Sequence, residues 1–140
     1  MFDIPAEPHH FEVIQDHEDY KMAIEKSSIQ AKTLSLKEKK YPVVQAWIYT
    51  QYPDPYYEQE HRQTGESKLV FSQWQLGYFS CTDKTDAVVT MKFYGKDGEL
   101  INELTSEIGS LDDFSEIRAE TVGEIQLDTV CRLFEKQAGF

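Results

Sequence analysis

The sequence predicts an α+β fold, in which one C-terminal helix packs on a mostly antiparallel β-sheet. Three observations lead to this prediction. Apolar and polar residues alternate in several short segments between residues 11 and 104, as in half-buried strands. Apolar residues after Thr121 recur instead with the spacing of one helix face. The chain has two cysteines, one ending a strand segment and one in that helix, so a bridge between them would hold the helix on the sheet.

Length and charge narrow the possible classes of protein. A chain of 140 residues has the size of one domain, which we assign to residues 11–140, after a polar, flexible arm at residues 1–10. The net charge of −11 disfavours nucleic acid as a partner, because phosphate backbones are bound by clustered Lys and Arg. It also disfavours anionic membrane surfaces. No stretch approaches the ~20 apolar residues of a transmembrane segment.

The first part of the domain reads as three short strands. Residues 11–14 form the first, and residues 20–24 alternate and pair back on it. Residues 25–29 read as a tight turn or one helical turn. Residues 32–36 then form the third strand, and a charged turn follows at residues 37–40.

Two stronger strands follow. Residues 41–52 carry apolar side chains on both faces, which predicts a central strand that is partly covered on both sides. Residues 53–66 read as a long acidic loop containing aromatic residues. Residues 69–81 form the next strand, in which Gly77 predicts a bulge or bend.

A hairpin and a connector complete the β region. Residues 87–94 alternate, Asp97 and Gly98 are typical of a hairpin turn, and residues 100–104 form the returning strand. Residues 105–120 read as an acidic connector.

The C-terminal helix has the clearest local signals. Thr121 and Glu124 fit a capping box, in which the Thr hydroxyl accepts from the Glu124 amide and the Glu carboxylate reaches back. Gly139 stands where a helix end is expected. The buried stripe comprises Gly123, Leu127, Val130, Cys131 and Phe134.

The two cysteines indicate the compartment. Cys81 ends an apolar strand and Cys131 lies on the buried stripe of the helix, so we predict one structural disulfide between them and an oxidising environment. Catalytic thiols are the alternative, which the lack of a Cys-x-x-Cys arrangement disfavours. The first eight residues lack the features of a signal peptide. Either the protein is not exported, or this chain is a mature form whose leader was replaced by Met1; the cysteines favour the second.

Residues 114–131 resemble the C-terminal signature of the surface-adhesin protein E-like family, which runs roughly Trp-x-x-Ile, then Ser-x-Gly-Glu, then a helix ending Val-Cys. Residues 25–29, Glu-Lys-Ser-Ser-Ile, resemble the early Asp-x-x-Ser-Ile turn of the family. The strand leading to Cys81 is similar to the family's strand ending in its first Cys. Together these similarities cover most of residues 11–135.

The resemblance implies an antiparallel sheet whose concave face is tied to a C-terminal helix by a disulfide. It also implies an exported bacterial envelope protein, located in the periplasm or on the outer membrane and cell surface. Several members are lipoproteins, and the founding member binds host matrix and plasma proteins and can dimerise. Here Phe114 replaces the usual Trp, and no N-terminal lipoprotein Cys is present. The acidic charge also argues against adhesion through basic patches.

A tyrosine-rich segment is the best candidate for partner binding. Tyrosine offers a large contact area with a polar tip. Alternatively, these rings pack over the edge of the sheet. The candidates are Tyr49, Tyr52, Tyr56 and Tyr57.

The one basic cluster has two interpretations. It either blunts an edge strand or docks an acidic partner. It comprises Lys32, Lys37, Lys39 and Lys40.

Few residues suggest catalysis or a cofactor. His9, His10 and His17 lack the spacing of a metal site, so we predict no metal. Glu58, Glu60 and His61 leave a small hydrolase as a weak alternative. There is no glycine-rich phosphate loop, and we expect no cofactor. We therefore expect a non-enzymatic, exported envelope protein that binds another protein. The alternatives are a periplasmic accessory or assembly factor, and a homodimer formed through an exposed sheet face.

Overall fold

The computed structural model describes residues 10–37 and 39–138. Residues 1–9 of the predicted arm and the predicted helix end at Gly139 lie outside these ranges. The described residues form nine strands and one α-helix. These are β1 (Phe11–Asp16), β2 (Lys21–Leu36), β3 (Lys39–Gln51), β4 (Glu58–Glu60), β5 (Ser67–Leu69), β6 (Ser72–Ser80), β7 (Thr85–Tyr94), β8 (Leu100–Thr105), β9 (Ser115–Glu116) and α1 (Val122–Gln137).

One large antiparallel sheet dominates the described chain. Its strands follow the order β1-β2-β3-β6-β7-β8, with β9 pairing to one end of β7. Strands β4 and β5 form a separate two-stranded sheet. The predicted α+β fold with one C-terminal helix is thus confirmed, and so is the central position of the strand at residues 41–52.

Strand β2 is longer than the sequence analysis predicted. The turn expected at residues 25–29 is wrong, because β2 continues through it and includes the segment predicted as a third strand. The pairing with β3 shifts register between Glu25 and Gln30. At this bulge the Ser28 hydroxyl accepts from the Trp47 amide at 2.9 Å and donates to the Glu25 carbonyl at 2.6 Å. A side chain replaces missing ladder bonds, so the strand kinks without ending.

The segment expected to be a loop at residues 53–66 contains a strand. Strand β4 pairs with β5, so the predicted strand at residues 69–81 is divided between β5 and β6. At the break, Val70 is fully buried and its amide donates to the Tyr57 carbonyl at 3.0 Å. The chain crosses there from the small sheet to the large one. The predicted bulge at Gly77 is confirmed by a register shift between Leu76 and Gly77.

Helix α1 covers one face of the large sheet and forms the main core with it. Leu127, Val130 and Leu133 are buried against strands β2, β3 and β6. The helix begins after Thr121, whose Oγ1 accepts from the Glu124 amide at 3.3 Å. The Glu124 carboxylate accepts from the Glu120 amide at 3.1 Å, one residue before the predicted partner.

The remaining cores lie on both sides of the sheet. Beyond α1, residues 53–71 cover the same face over β7 and β8, around the buried side chains of Phe93 and Ile101. On the opposite face, Ile108 and Phe114 of the connector pack over one end of the sheet. The middle of that opposite face carries the aromatic side chains described below.

Candidate functional site

Three of the four predicted tyrosines come together where β3 leads into the segment that covers β7 and β8. The ring centroids of Tyr52 and Tyr57 are 5.3 Å apart, and those of Tyr52 and Tyr56 are 5.4 Å apart, both nearly perpendicular. Tyr56 and Tyr57 are 5.9 Å apart. Edge-to-face contacts of this kind stabilise aromatic pairs beyond their burial. We call Tyr52, Tyr56 and Tyr57 the tyrosine cluster.

The three rings differ in exposure. Tyr52 is buried against the core that includes Val70, while Tyr57 is half-buried and its hydroxyl donates to Gln73 Oε1. Tyr56 is 62% exposed. In the cluster, the rings of Tyr52 and Tyr57 therefore support the ring of Tyr56, which is exposed to solvent. Because two neighbouring rings hold Tyr56, little side-chain entropy remains to be lost when a partner binds it.

The phenols of Tyr52 and Tyr57, the two less exposed rings, have a raised pKa and are uncharged at physiological pH. Burial raises the pKa of Tyr52, and the neighbouring Tyr57 phenol raises it further. Burial also raises the pKa of Tyr57, against the smaller opposing effect of a hydrogen bond from Tyr52. The cluster thus offers a partner aromatic area, with the phenols of Tyr52 and Tyr57 uncharged.

The fourth predicted tyrosine lies elsewhere. Tyr49 is buried on the opposite face of the sheet, where its ring centroid is 4.9 Å from that of Trp74. Successive residues of a strand point to opposite faces. Tyr49 therefore lies on one face of the sheet, and Tyr52 lies on the other. The structure therefore does not bring Tyr49 to the tyrosine cluster.

A second aromatic site was missed by the sequence analysis. Trp47 and Trp74 meet with ring centroids 6.2 Å apart at 83° on the face opposite α1. They line a cavity of about 270 Å³ together with Glu25, Lys92 and Tyr94. We call these five residues the tryptophan groove. Alternation placed Trp47 on one face of its strand, but only the pairing of β3 with β6 brings Trp74 beside it.

The predicted disulfide is confirmed. Cys81 and Cys131 are bonded, with their Cα atoms 6.0 Å apart, and no free cysteine is present in the described chain. An apolar cavity of about 450 Å³ lies beside the bond, with Val44, Phe79 and Phe134 among its walls.

The sequence profile described as surface-adhesin protein E matches residues 11–132. The chain belongs to this family. No curated protein and no solved structure matches the chain significantly. The matched range runs from the first residue of β1 to the residue after Cys131, so it contains the whole sheet and both cysteines.

Membership of the surface-adhesin protein E family indicates a surface adhesin with a binding role. It also indicates an exported envelope protein, and the disulfide agrees with an extracytoplasmic location. Within the described ranges, no helix is both long enough and apolar enough to cross a membrane.

In this surface-adhesin protein E family member, the predicted acid–base residues lie on β4 and in the turn that follows it. Glu58 and Glu60 are exposed on β4. His61 Nδ1 accepts from the Gln63 amide at 3.2 Å within a local turn. Every Asp and Glu of the described residues is at least partly exposed to solvent. The buried acid that a hydrolase built on His61 needs is not found there.

Of the histidines near the N-terminus, the structure describes His10 and His17, which flank the two ends of β1. His9 lies outside the described residues and His10 is exposed. His17 stacks on Tyr20 at 5.3 Å, and its Nδ1 accepts from the Asp19 amide at 3.2 Å. The part of the chain that the structure describes contains no group of three or more His, Cys, Asp or Glu residues suited to a metal ion.

The four predicted lysines lie on the hairpin of β2 and β3. Strand β1 pairs with β2 only as far as Glu25, so within the described chain the later part of β2 is an edge. Lys32 extends over the ring of Tyr78 at 5.3 Å, and Lys40 Nζ donates to Ser35 Oγ at 2.9 Å. Lysines along an exposed edge oppose pairing with another strand.

Proposed function

We propose that this protein is a non-enzymatic envelope protein that binds a host matrix or plasma protein. The observation that carries the proposal is the family match over residues 11–132, which contains every strand and the disulfide. A disulfide between strand end and helix suits a protein that works outside the reducing cytosol.

We assign the contact surface to the tyrosine cluster, with Tyr56 as its anchor. Binding energy at protein interfaces concentrates in a few aromatic or Arg side chains that fill partner pockets. Tyr56 has the highest exposure of the large hydrophobic side chains described, and two rings support it from below. Pre-ordered aromatic residues suit such a role.

Acidic side chains around the cluster indicate the chemistry of the partner. Asp54, Glu58 and Glu60 are all exposed beside Tyr56 in the chain. Together with the net charge of −11, they favour a partner surface with basic residues around an apolar pocket. Charges at the rim steer association more than they strengthen the complex, so this contribution weakens as salt rises.

The test is surface plasmon resonance on a panel of purified matrix and plasma proteins, immobilised separately. We expect Tyr56→Ala to weaken binding to the recognised partner by roughly tenfold or more, because the anchor ring is removed. Tyr56→Phe keeps the ring and is expected to bind nearly as the parent does. Leu111→Ala removes another exposed apolar side chain, which lies between β8 and β9 outside the tyrosine cluster, and serves as the control.

Two results would contradict parts of this proposal. Equal binding by Tyr56→Ala and the parent would show that the tyrosine cluster is not the contact surface. If no protein of the panel binds with micromolar or tighter affinity, the proposal of a host partner is rejected. A periplasmic accessory or assembly role would then be tested by crosslinking in isolated envelopes, where Tyr56→Ala and Leu111→Ala are again compared.

A homodimer is the second candidate, favoured by apolar side chains on both edge strands. Val13 of β1 is 48% exposed and Leu104 of β8 is 51% exposed. Sheet edges with exposed apolar residues can pair with a second copy. Sedimentation equilibrium over a wide concentration range tests this. A monomer at every concentration would reject it.

A further inference from the structure

The tryptophan groove lies on the sheet face opposite α1, whereas Tyr52 of the tyrosine cluster faces the helix side. The pairing of β2, β3, β6 and β7 aligns the residues of the tryptophan groove. Trp74 is opposite Tyr49 on one neighbour and Lys92 on the other, and Glu25 is opposite Trp47. Directly opposed residues in antiparallel strands share a face. The five side chains therefore converge from four adjacent strands.

The two indole rings form a preformed corner. They meet at 83°, so one ring provides a wall and the other a floor. Trp74 is held from behind by Tyr49 at 4.9 Å and Phe11 at 5.9 Å. Both indoles are half-buried, which leaves aromatic surface open to the cavity. Adjoining exposed aromatic surface of this kind, rimmed by polar residues, is typical of ligand-binding grooves.

Polar groups of both kinds surround this corner. Lys92 Nζ lies 5.4 Å from the Trp47 ring centroid and provides hydrogen-bond donors. Glu25 provides an acceptor, and its Oε1 accepts from the Ser27 amide at 3.2 Å, which orients the carboxylate. The Tyr94 hydroxyl can donate or accept. Burial, with the neighbouring Glu103 carboxylate, raises the pKa of Tyr94 and keeps it neutral.

We propose that the tryptophan groove binds one ring of a neutral saccharide. A pyranose has an apolar face of C–H groups that stacks on an indole and a rim of hydroxyls that both donate and accept hydrogen bonds. The groove offers the matching arrangement, because aromatic walls stand beside a fixed acceptor and a cationic donor. Its volume of about 270 Å³ suits a single ring.

Charge and hydrogen bonding favour this ligand over two others. Glu25 and Lys92 balance each other within the groove, while the chain carries −11, so a sialylated or sulfated sugar is repelled. A proline-rich segment also docks between aromatic rings. However, proline has no N–H group, so such a segment offers the Glu25 carboxylate no donor beyond the amide and hydroxyl of Ser27. This inference goes beyond the proposed function and does not depend on it.

The chain itself provides a specific probe of the groove. It contains two tryptophans, and both line this cavity. Indole fluorescence and the two indole N–H signals in a ¹H–¹⁵N spectrum therefore report on this site alone, and Trp47→Phe assigns the two signals. The titrants are the methyl glycosides of glucose, galactose, mannose and N-acetylglucosamine, with lactose, sialyllactose and decaproline for comparison. We expect saturable shifts of both indole signals with at least one neutral sugar.

Three variants define the outcome. Trp74→Ala is expected to weaken sugar binding by roughly tenfold, since a stacking ring is lost. Lys92→Met keeps the aliphatic stem but removes the donor, and is expected to weaken binding several-fold. Tyr56→Ala is expected to bind the sugar as the parent does, which separates this site from the proposed adhesive surface. Circular dichroism checks folding, and if Trp74→Ala is unfolded, Lys92→Met decides.

Three results would overturn the proposal. The first is the absence of a saturable shift with every neutral sugar. The second is an unchanged affinity in Lys92→Met, or in folded Trp74→Ala. The third is binding of sialyllactose or decaproline alone, which would assign the groove to a different class of ligand.

Discussion

Cys81, directly after β6, is bonded to Cys131 in α1, fifty positions later in the chain. The bond attaches the helix near its middle to the end of a central strand. Everything between the two cysteines belongs to one closed loop, which includes β7, β8 and β9. This segment is thereby restrained in the unfolded chain as well as in the folded one.

The first prediction concerns this bond. Closing a loop of this length stabilises the fold by about 4 kcal/mol in the chain-entropy description. We expect the Cys81→Ser/Cys131→Ser double variant to lose a comparable free energy of unfolding, measured by urea denaturation. Intact mass after alkylation of unfolded, unreduced protein should show no adduct on the parent chain. Two adducts on protein prepared under oxidising conditions would contradict the disulfide and reopen the question of compartment.

The second prediction concerns Gly77 at the bulge of β6. A Cβ at this position would stand 3.0 Å and 3.2 Å from ring atoms of Phe79, which is fully buried. Because the ring is enclosed by the core, we expect Gly77→Ala to destabilise the protein by about 1–3 kcal/mol. Gly109→Ala is the matched control, since nothing lies within 4 Å of its Cβ position. Equal midpoints in thermal unfolding for the two variants would contradict this.

The third prediction is a pH dependence from Asp86. Burial raises the pKa of Asp86 above its ordinary value. The folded state therefore binds this proton more tightly than the unfolded state, and the resulting stabilisation is present at acidic pH and lost as pH rises through the folded pKa. At pH 7 the group opposes folding, so we expect Asp86→Asn to be more stable than the parent there.

The same variant should lose its advantage as the pH falls below the ordinary range of Asp. Urea denaturation at several pH values measures this. The exposed Asp54→Asn is the control for a change in overall charge. An advantage of Asp86→Asn that is the same at every pH would point to a cause other than the proton.

The fourth prediction concerns the tyrosine cluster at alkaline pH. Burial raises the pKa of Tyr52 far above its ordinary value. The folded state therefore holds the Tyr52 proton more tightly than the unfolded state does. The resulting contribution to the free energy of unfolding is complete below the unfolded pKa of about 10 and is lost as pH rises beyond it. We expect the stability of the parent to fall more steeply above this pH than that of Tyr52→Phe. Absorbance at 295 nm, followed together with circular dichroism, should show the Tyr52 phenol ionising as the fold is lost. Ionisation of all eight tyrosines with the fold intact would contradict this.

The helix and the hairpin show how far local patterns predict this structure. Thr121 caps α1 where its position before Glu124 predicts, and Leu127 and Val130 are buried at the predicted spacing. Asp97 and Gly98 lie in the turn between β7 and β8, where Gly98 adopts a φ of 77°. Such features depend on residues within a few positions of one another. The sequence is sufficient to predict them.

Strand β2 and Tyr49 show where local patterns are insufficient. Glu25 to Ile29 has the composition of a turn, yet β2 continues because Ser28 bonds to the backbone of β3. Tyr49 lies near Tyr52 in the chain but is separated from it by the sheet. In both cases the outcome depends on a partner strand, whose register no short segment specifies.

The sequence by itself determined the α+β class, the C-terminal helix, the pairing of two cysteines and the family signature. The class and the helix follow from periodicity within single segments, and the pairing follows from there being two cysteines, one in a strand and one in the helix. The family signature is a resemblance of residues 114–131 and two earlier segments to known proteins. The tertiary structure decided which aromatic residues meet. It separated Tyr49 from the tyrosine cluster, left Tyr56 exposed, and placed Trp74 beside Trp47. The physical reason is that strand pairing and register are set by contacts between distant segments, and these contacts assemble the surfaces with which this protein can bind.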